Sequence, residues 1–209
     1  MLESILLKKK AVANVINIEG GGATNTWTKS SGVTQGSDGS YTFAGGAQID
    51  YIRIPYGTSP YPIGEDMEIR MNAVVYSQNT GNGNSLYLIG KWLQVAGQGE
   101  FCFQRYNDGT VRLSIGSISE SVYQSTSGSN NIALNTPFDF FWQRKGSAFL
   151  CKLNGNTIYS NTFATQRKCN VDWVLGSYLT SSGTIVGTQF ATMGNWKINS
   201  LSITHGTTV

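Results

Sequence analysis

From Ser40 onward the apolar positions of this chain recur at every second residue. Tyr41 and Phe43 flank Thr42. Met67, Ile69, Met71, Ala73 and Val75 alternate with Glu68, Arg70 and Asn72. Phe101 and Phe103 flank Cys102. Val111, Leu113 and Ile115 alternate with Arg112 and Ser114, and Phe149, Cys151 and Leu153 with Leu150 and Lys152. Successive side chains of a strand point to opposite faces. Each run therefore predicts a strand with one face on a core and one toward solvent, as in antiparallel sheets. Trp196 and Ile198 share a parity that Leu201 and Ile203 do not continue, which predicts a bulge near Asn199-Ser200.

The turns between these runs carry their own signal. Asp108-Gly109 and Asn154-Gly155 each separate two alternating runs, and such pairs suit tight hairpins that need positive φ. Arg144-Lys145-Gly146 links two further runs. Closely spaced hairpins predict an antiparallel meander rather than βαβ units. Residues 1–22 read differently. Their first 18 residues lack the period of two, and Gly20-Gly21-Gly22 then breaks the chain. This predicts an N-terminal arm over residues 1–22 and one main domain over residues 23–209, the alternative being that the arm supplies a first strand of the domain.

Composition narrows the classes. Gly, Ser, Thr and Asn make up about 40% of the 209 residues, and charged residues only 13%. A helical bundle needs more Ala, Glu, Lys, Leu and Arg. A disordered chain would be poorer in apolar residues than 40%. No apolar run approaches the roughly 20 residues that span a bilayer, so no membrane insertion is expected. The net charge of +3 is mild and Lys8-Lys9-Lys10 is the one basic triplet, which argues against a nucleic-acid partner. Three cysteines, Cys102, Cys151 and Cys169, show no C-x-x-C spacing and read as reduced structural thiols. His205 is the single histidine and sits near the end of the sequence, a poor place for a triad or a metal ligand. Neither a metal nor a cofactor is expected.

Four segments in order resemble the concanavalin A-like lectin/glucanase superfamily, in its laminin-G-like branch. They are residues 39–55, with an aromatic strand, a small turn and an apolar strand ending in Pro55; residues 86–92 with 99–115; residues 138–155, a hairpin ending in Leu153-Asn154-Gly155; and the closing strand 194–203. The resemblance implies an all-β, antiparallel two-sheet jelly-roll sandwich, one sheet concave. Glycosidases of that superfamily carry Glu-x-Asp-x-Glu on a strand, which places two carboxylates on one face. The nearest match here, Glu65-Asp66-Met67-Glu68, departs from that spacing, and Asp108 and Asp139 stand alone. A non-enzymatic chain is therefore expected.

Sugar recognition by such a sandwich would use aromatic faces with amides around them. Tyr87, Trp92, Tyr106, Tyr123, Trp142, Trp173, Tyr178 and Trp196 are candidates, although large aromatics in a sandwich mostly pack in the core. Trp92 and Trp173 lie near loops, and Tyr178 opens a Ser- and Gly-rich loop. With Tyr87 they form the expected ligand-binding set. A lectin-like sandwich normally works outside cells, yet only Ile5-Leu6-Leu7 precede the lysines, too few for a secretory signal. A particle assembled in a host cytoplasm reconciles these facts. The expected function is a bacteriophage virion component, as a capsid decoration, tail or fibre protein, with host-surface glycan as a candidate ligand. Leu2, Ile5, Leu6 and Leu7 would dock the arm onto other virion proteins, and a homo-oligomer fits such a role. The alternatives are a free carbohydrate-binding module of a secreted protein, or a glycoside hydrolase using Asp66 and Glu68.

Overall fold

The structure, a computed structural model, describes residues 16–19, 28–45, 50–54, 66–78, 85–92, 99–115, 123–125, 130–162, 171–180, 182–185 and 194–205. The described residues contain no helix. In chain order the strands are β1 (Ile16–Glu19), β2 (Thr28–Lys29), β3 (Val33–Gln35), β4 (Tyr41–Phe43), β5 (Ile52–Ile54), β6 (Met67–Gln78), β7 (Ser85–Trp92) and β8 (Gly99–Tyr106). They continue with β9 (Val111–Ile115), β10 (Tyr123–Ser125), β11 (Pro137–Lys145), β12 (Ala148–Leu153), β13 (Asn156–Thr162), β14 (Trp173–Leu175) and β15 (Gly194–His205).

These strands form two sheets of a jelly-roll sandwich. The eight-stranded sheet runs β13-β12-β11-β6-β15-β4-β3, with β1 also on β15, and the seven-stranded sheet runs β10-β9-β8-β7-β14-β5-β2. Each pairing is antiparallel except β1 with β15, which is parallel. Ile16–Glu19, within the expected arm, pair with Leu201–Thr204 of β15. Leu2, Ile5, Leu6 and Leu7 lie outside the described residues.

The alternating apolar positions meet between the sheets. Met67, Ile69, Met71, Ala73 and Val75 are all buried along β6. Phe103 of one sheet stacks on Phe140 of the other at 3.9 Å between ring centroids, and Phe101 lies 4.9 Å from Trp142. Phe43 stacks on Trp196 at 4.2 Å. The predicted bulge is present. The register of β15 on β6 skips between Ile198 and Ser200, so Asn199 is the extra residue and Leu201 and Ile203 return to the core. The Asn199 amide then donates to Asn72 Oδ1 at 2.8 Å on the solvent side. Hairpin chemistry also follows the sequence: Asn154 and Gly155 take φ of 51° and 81°, and Gly109 takes 88°.

One buried guanidinium ties the two sheets at one end. Arg105 of β8 donates through Nε to Ile132 O at 2.8 Å and through Nη1 to Gln78 Oε1 of β6 at 2.6 Å. The outer face of the eight-stranded sheet is solvated and ion-paired. Glu68 pairs with Arg70 and accepts from Gln143 Nε2 at 3.1 Å, while Asp66 accepts from the Gly146 N–H at 2.8 Å. Both carboxylates of the hydrolase alternative are therefore engaged in bracing strands and a hairpin.

Candidate functional site

The outer face of the seven-stranded sheet is built differently. Alternation that buries Phe101 and Phe103 turns Cys102, Gln104 and Tyr106 outward. The same rule turns Arg112 and Ser114 of β9 outward, because Val111, Leu113 and Ile115 face the core. Register aligns Val174, Gly90, Cys102 and Ser114 in one row across four strands, and Tyr87, Gln104 and Arg112 in the next. An outward polar row on an antiparallel sheet is expected to meet water. Here Cys102 is 0% exposed, Ser114 2% and Gln104 5%. This face is a second interior, and a polar one.

The chain after β14 supplies part of its cover. Tyr178 is buried and its ring lies 4.3 Å from that of Tyr87. The next turn is held by a bridge between Leu179 and Ile185, by the Thr180 N–H on Thr184 O at 2.7 Å, and by the Leu179 N–H on Trp92 O at 3.1 Å. Val171, outward-facing Val174 and Leu179 pack with Tyr51 and Ile185 into a small apolar cluster beside the polar one. Arg53 and Asp172 pair at 2.6 Å across β5 and the entry to β14.

Within the polar cluster, Gln104 Nε2 donates to Cys102 Sγ at 3.4 Å. Gly90 leaves room for that sulfur, since a Cβ there would stand 3.3 Å from it. Arg112 Nη1 donates to the Tyr106 hydroxyl at 2.9 Å. Tyr87, Tyr106 and Arg112 are half-buried and form its accessible rim. Burial raises the Tyr87 phenol well above its ordinary range, with Cys102 and Tyr178 adding to it and Arg112 opposing. Burial likewise raises Tyr178, with a further push from Cys102. It pushes the Cys102 thiol up to about 12, against the opposing effects of the Gln104 hydrogen bond and Arg112. The cluster thus gathers Tyr87, Cys102, Gln104, Tyr106 and Tyr178, all donors or acceptors of hydrogen bonds, around the Arg112 guanidinium.

A raised thiol has a consequence for reactivity, because the thiolate is the nucleophile. Native Cys102 is expected to resist iodoacetamide at pH 8 and to be alkylated once urea unfolds the chain, as read by peptide mass spectrometry. The folded value lies above the unfolded one. Stability from this group is therefore whole below about pH 9 and falls as pH rises toward about 12. Labelling of Cys102 in the native protein as fast as in a free peptide would contradict the burial.

Of the four aromatics expected to bind ligand, the structure brings Tyr87 and Tyr178 together on this face. Trp92 is half-buried at the end of β7. Trp173 does not reach the face at all. β14 turns Val174 outward and Trp173 inward, where it is 0% exposed in the core with Lys91 Nζ 5.7 Å from its ring. Trp142 and Trp196 are core residues too. Gln104, Arg112 and Cys102 are not in the expected ligand-binding set, although the parity of Phe101 to Ile115 places all three opposite the core. Among the described residues no group of three His, Cys, Asp or Glu could hold a metal ion.

No protein-family model matches this chain, and no curated protein matches it in sequence. Solved structures do share its fold. Alginate lyase A1-II', a member of polysaccharide lyase family 7, aligns with a TM-score of 0.56 at 12% identity over 86% of this chain and 85% of its own. The carbohydrate-binding module CBM66 from Bacillus subtilis aligns with a TM-score of 0.51 at 8% identity over 88% of this chain and 98% of its own. The binding domain of botulinum neurotoxin serotype D aligns with a TM-score of 0.58 at 12% identity, over 87% of this chain but 44% of that one. At these identities the likeness is one of fold. It overturns the expectation of a non-enzymatic chain, because alginate lyases stand among the neighbours together with binding modules.

Proposed function

We propose that this chain binds an acidic polysaccharide on the outer face of its seven-stranded sheet, at the rim formed by Tyr87, Tyr106 and Arg112 with Gln104 beneath. The observation that carries this is the Arg112–Tyr106 pair, a guanidinium and a phenol 2.9 Å apart on a half-buried polar face. A guanidinium presents a planar fork that matches a carboxylate, and phenols and amides supply the hydroxyl contacts a sugar needs. Neighbours of both kinds, an alginate lyase and a carbohydrate-binding module, support a glycan ligand for this fold.

The same pair favours a second reading, cleavage of the bound polymer by elimination. A proton α to a uronate carboxylate becomes removable when a cation neutralises that carboxylate, which is the part Arg112 could take. Tyr106, acting as its phenolate, would take that proton and pass it to the departing glycosidic oxygen, so the tyrosine ends as it began and the products are an unsaturated uronate and a new hydroxyl end. Binding is tested by titrating alginate against neutral glucans. Arg112→Ala is expected to weaken alginate binding about 10- to 100-fold, the loss of a charge-assisted hydrogen bond of about 1.5–3 kcal/mol. Equal affinity of the variant and the parent would overturn the site. Elimination is read separately, by the ultraviolet absorbance of unsaturated uronate, and Tyr106→Phe should abolish it with binding retained. Location in a virus particle, with Leu2, Ile5, Leu6 and Leu7 docked on other virion proteins, is a separate proposal resting on the sequence. Detection of the chain in purified particles tests it.

A further inference from the structure

The outward row that carries Arg112, Gln104 and Tyr87 runs across three strands, β9, β8 and β7. A ligand that touches all three lies across the strands and spans about 10 Å, two strand spacings. The two ends of this row are built differently. At the β9 end Arg112 is half-buried, with half-buried Tyr106 bonded to it. At the β7 end the row stops. Tyr178 is buried there, and its ring stands 4.3 Å from that of Tyr87. Two rings in contact leave no passage for a sugar residue between them.

The surface beyond Tyr178 is closed as well. Outward-facing Val174 packs with Val171 and Leu179, and Tyr51 and Ile185 lie against them. The turn that brings Leu179 and Ile185 to this place is tied down. The Leu179 N–H donates to Trp92 O at the end of β7, at 3.1 Å, and the Thr180 N–H to Thr184 O at 2.7 Å. A polysaccharide carries hydroxyls on each residue. Pressing them onto an apolar cluster leaves them without partners, which costs free energy for each one. Packing and chemistry therefore both stop a polymer at Tyr178.

We propose, resting on the glycan reading of this face, that the site takes the terminus of an acidic polysaccharide rather than a stretch of its interior, with Tyr178 as the wall on which the last residue stops. Tyr87 and Gln104 face that last residue. Arg112 takes the carboxylate of a residue further in, and the rest of the polymer leaves past it. The number of chain ends, not the mass of polymer, then sets how much protein is bound.

The experiment is calorimetric titration of the full chain with oligouronates of graded length cut from alginate, and with alginate itself. The expected result is one protein bound per carbohydrate chain at every length that reaches from Tyr178 to Arg112, with the affinity per chain unchanged. Several proteins per chain, in a number that grows with length, would overturn end-binding and leave the glycan reading intact. No binding at any length overturns both. Tyr178→Ala removes the wall and is expected to bring several proteins onto one long chain, whereas Tyr178→Phe keeps the ratio at one. A ratio still at one in folded Tyr178→Ala takes the wall away from Tyr178. The parent's own ratio decides between end and interior even where that variant fails to fold.

Discussion

Gly176→Ala is expected to lower stability by about 3 kcal/mol or more, enough to threaten folding of a domain of ordinary marginal stability. Gly176 has φ of 81°, a left-handed conformation that costs a residue bearing Cβ about 1–2 kcal/mol. A Cβ there would also stand 2.3 Å from the Asp50 carbonyl oxygen and 3.1 Å from the Phe43 ring. Neither neighbour can step aside. The Asp50 carboxylate accepts from Ser30 Oγ and from the Gly45 N–H, each at 2.9 Å, and Phe43 is stacked on Trp196. Forced overpacking adds about 1–3 kcal/mol. Gly146→Ala is the control. It has φ of 57° and nothing within 4 Å of the added Cβ, so it carries the conformational cost alone. Chemical denaturation of the two variants separates the effects. Equal losses would mean that the packing around Asp50 yields.

The second large effect comes from two adjacent residues with opposite fates. Phe140→Ala is expected to cost about 3–5 kcal/mol, the range for emptying a large aromatic site in a core. Phe140 is 1% exposed, stacked on Phe103 at 3.9 Å and 6.1 Å from Phe101, so it joins the two sheets. Phe141 is the next residue and points the other way. It lies half-buried on the outer face of the eight-stranded sheet, under Arg70 at 4.8 Å and Lys152 at 6.0 Å. Exposed contacts of that kind are worth about 0.5–1 kcal/mol each. Phe141→Ala should therefore cost less, about 1–2 kcal/mol from the two contacts. Thermal or urea unfolding of the pair checks the parity of β11 directly, and similar losses would mean that the strand's faces are misassigned.

Parity made the core legible. Met67 to Val75, Phe101 with Phe103, and Val111 to Ile115 are buried as their alternation requires, and the change of phase at Asn199 is the bulge. Pairs such as Asp108-Gly109 and Asn154-Gly155 were legible because positive φ is a local demand with few residues to meet it. The candidate site was less so. Alternation states that Cys102, Gln104 and Arg112 face away from the core, but not that this outer face is itself covered. Gln104 is buried on that outer face, and its register partner Tyr87 is packed by Tyr178, which is far away in sequence. Trp173 shows the converse failure. Its nearness to loops suggested an exposed ring, but β14 is only three residues long, too short for alternation to show which side it takes. The β1–β15 pairing, about 185 residues apart in sequence, leaves no local trace at all.

That last pairing bears on how the chain is made. β15 hydrogen-bonds to strands at residues 16–19, 41–43 and 67–78, so it stands in the middle of the eight-stranded sheet although it is the last of the described strands in chain order. Until residues 194–205 have left the ribosome, β6 lacks its partner on one side and β4 has none toward the centre. Between the emergence of residues 137–162 and that of residues 194–205, a nascent chain therefore carries two half-sheets with apolar faces and open edges. Long-range closure of this kind is slow and leaves intermediates prone to association. Recovery of soluble protein should then respond to translation rate and to chaperone supply more than to the stability of the finished sandwich.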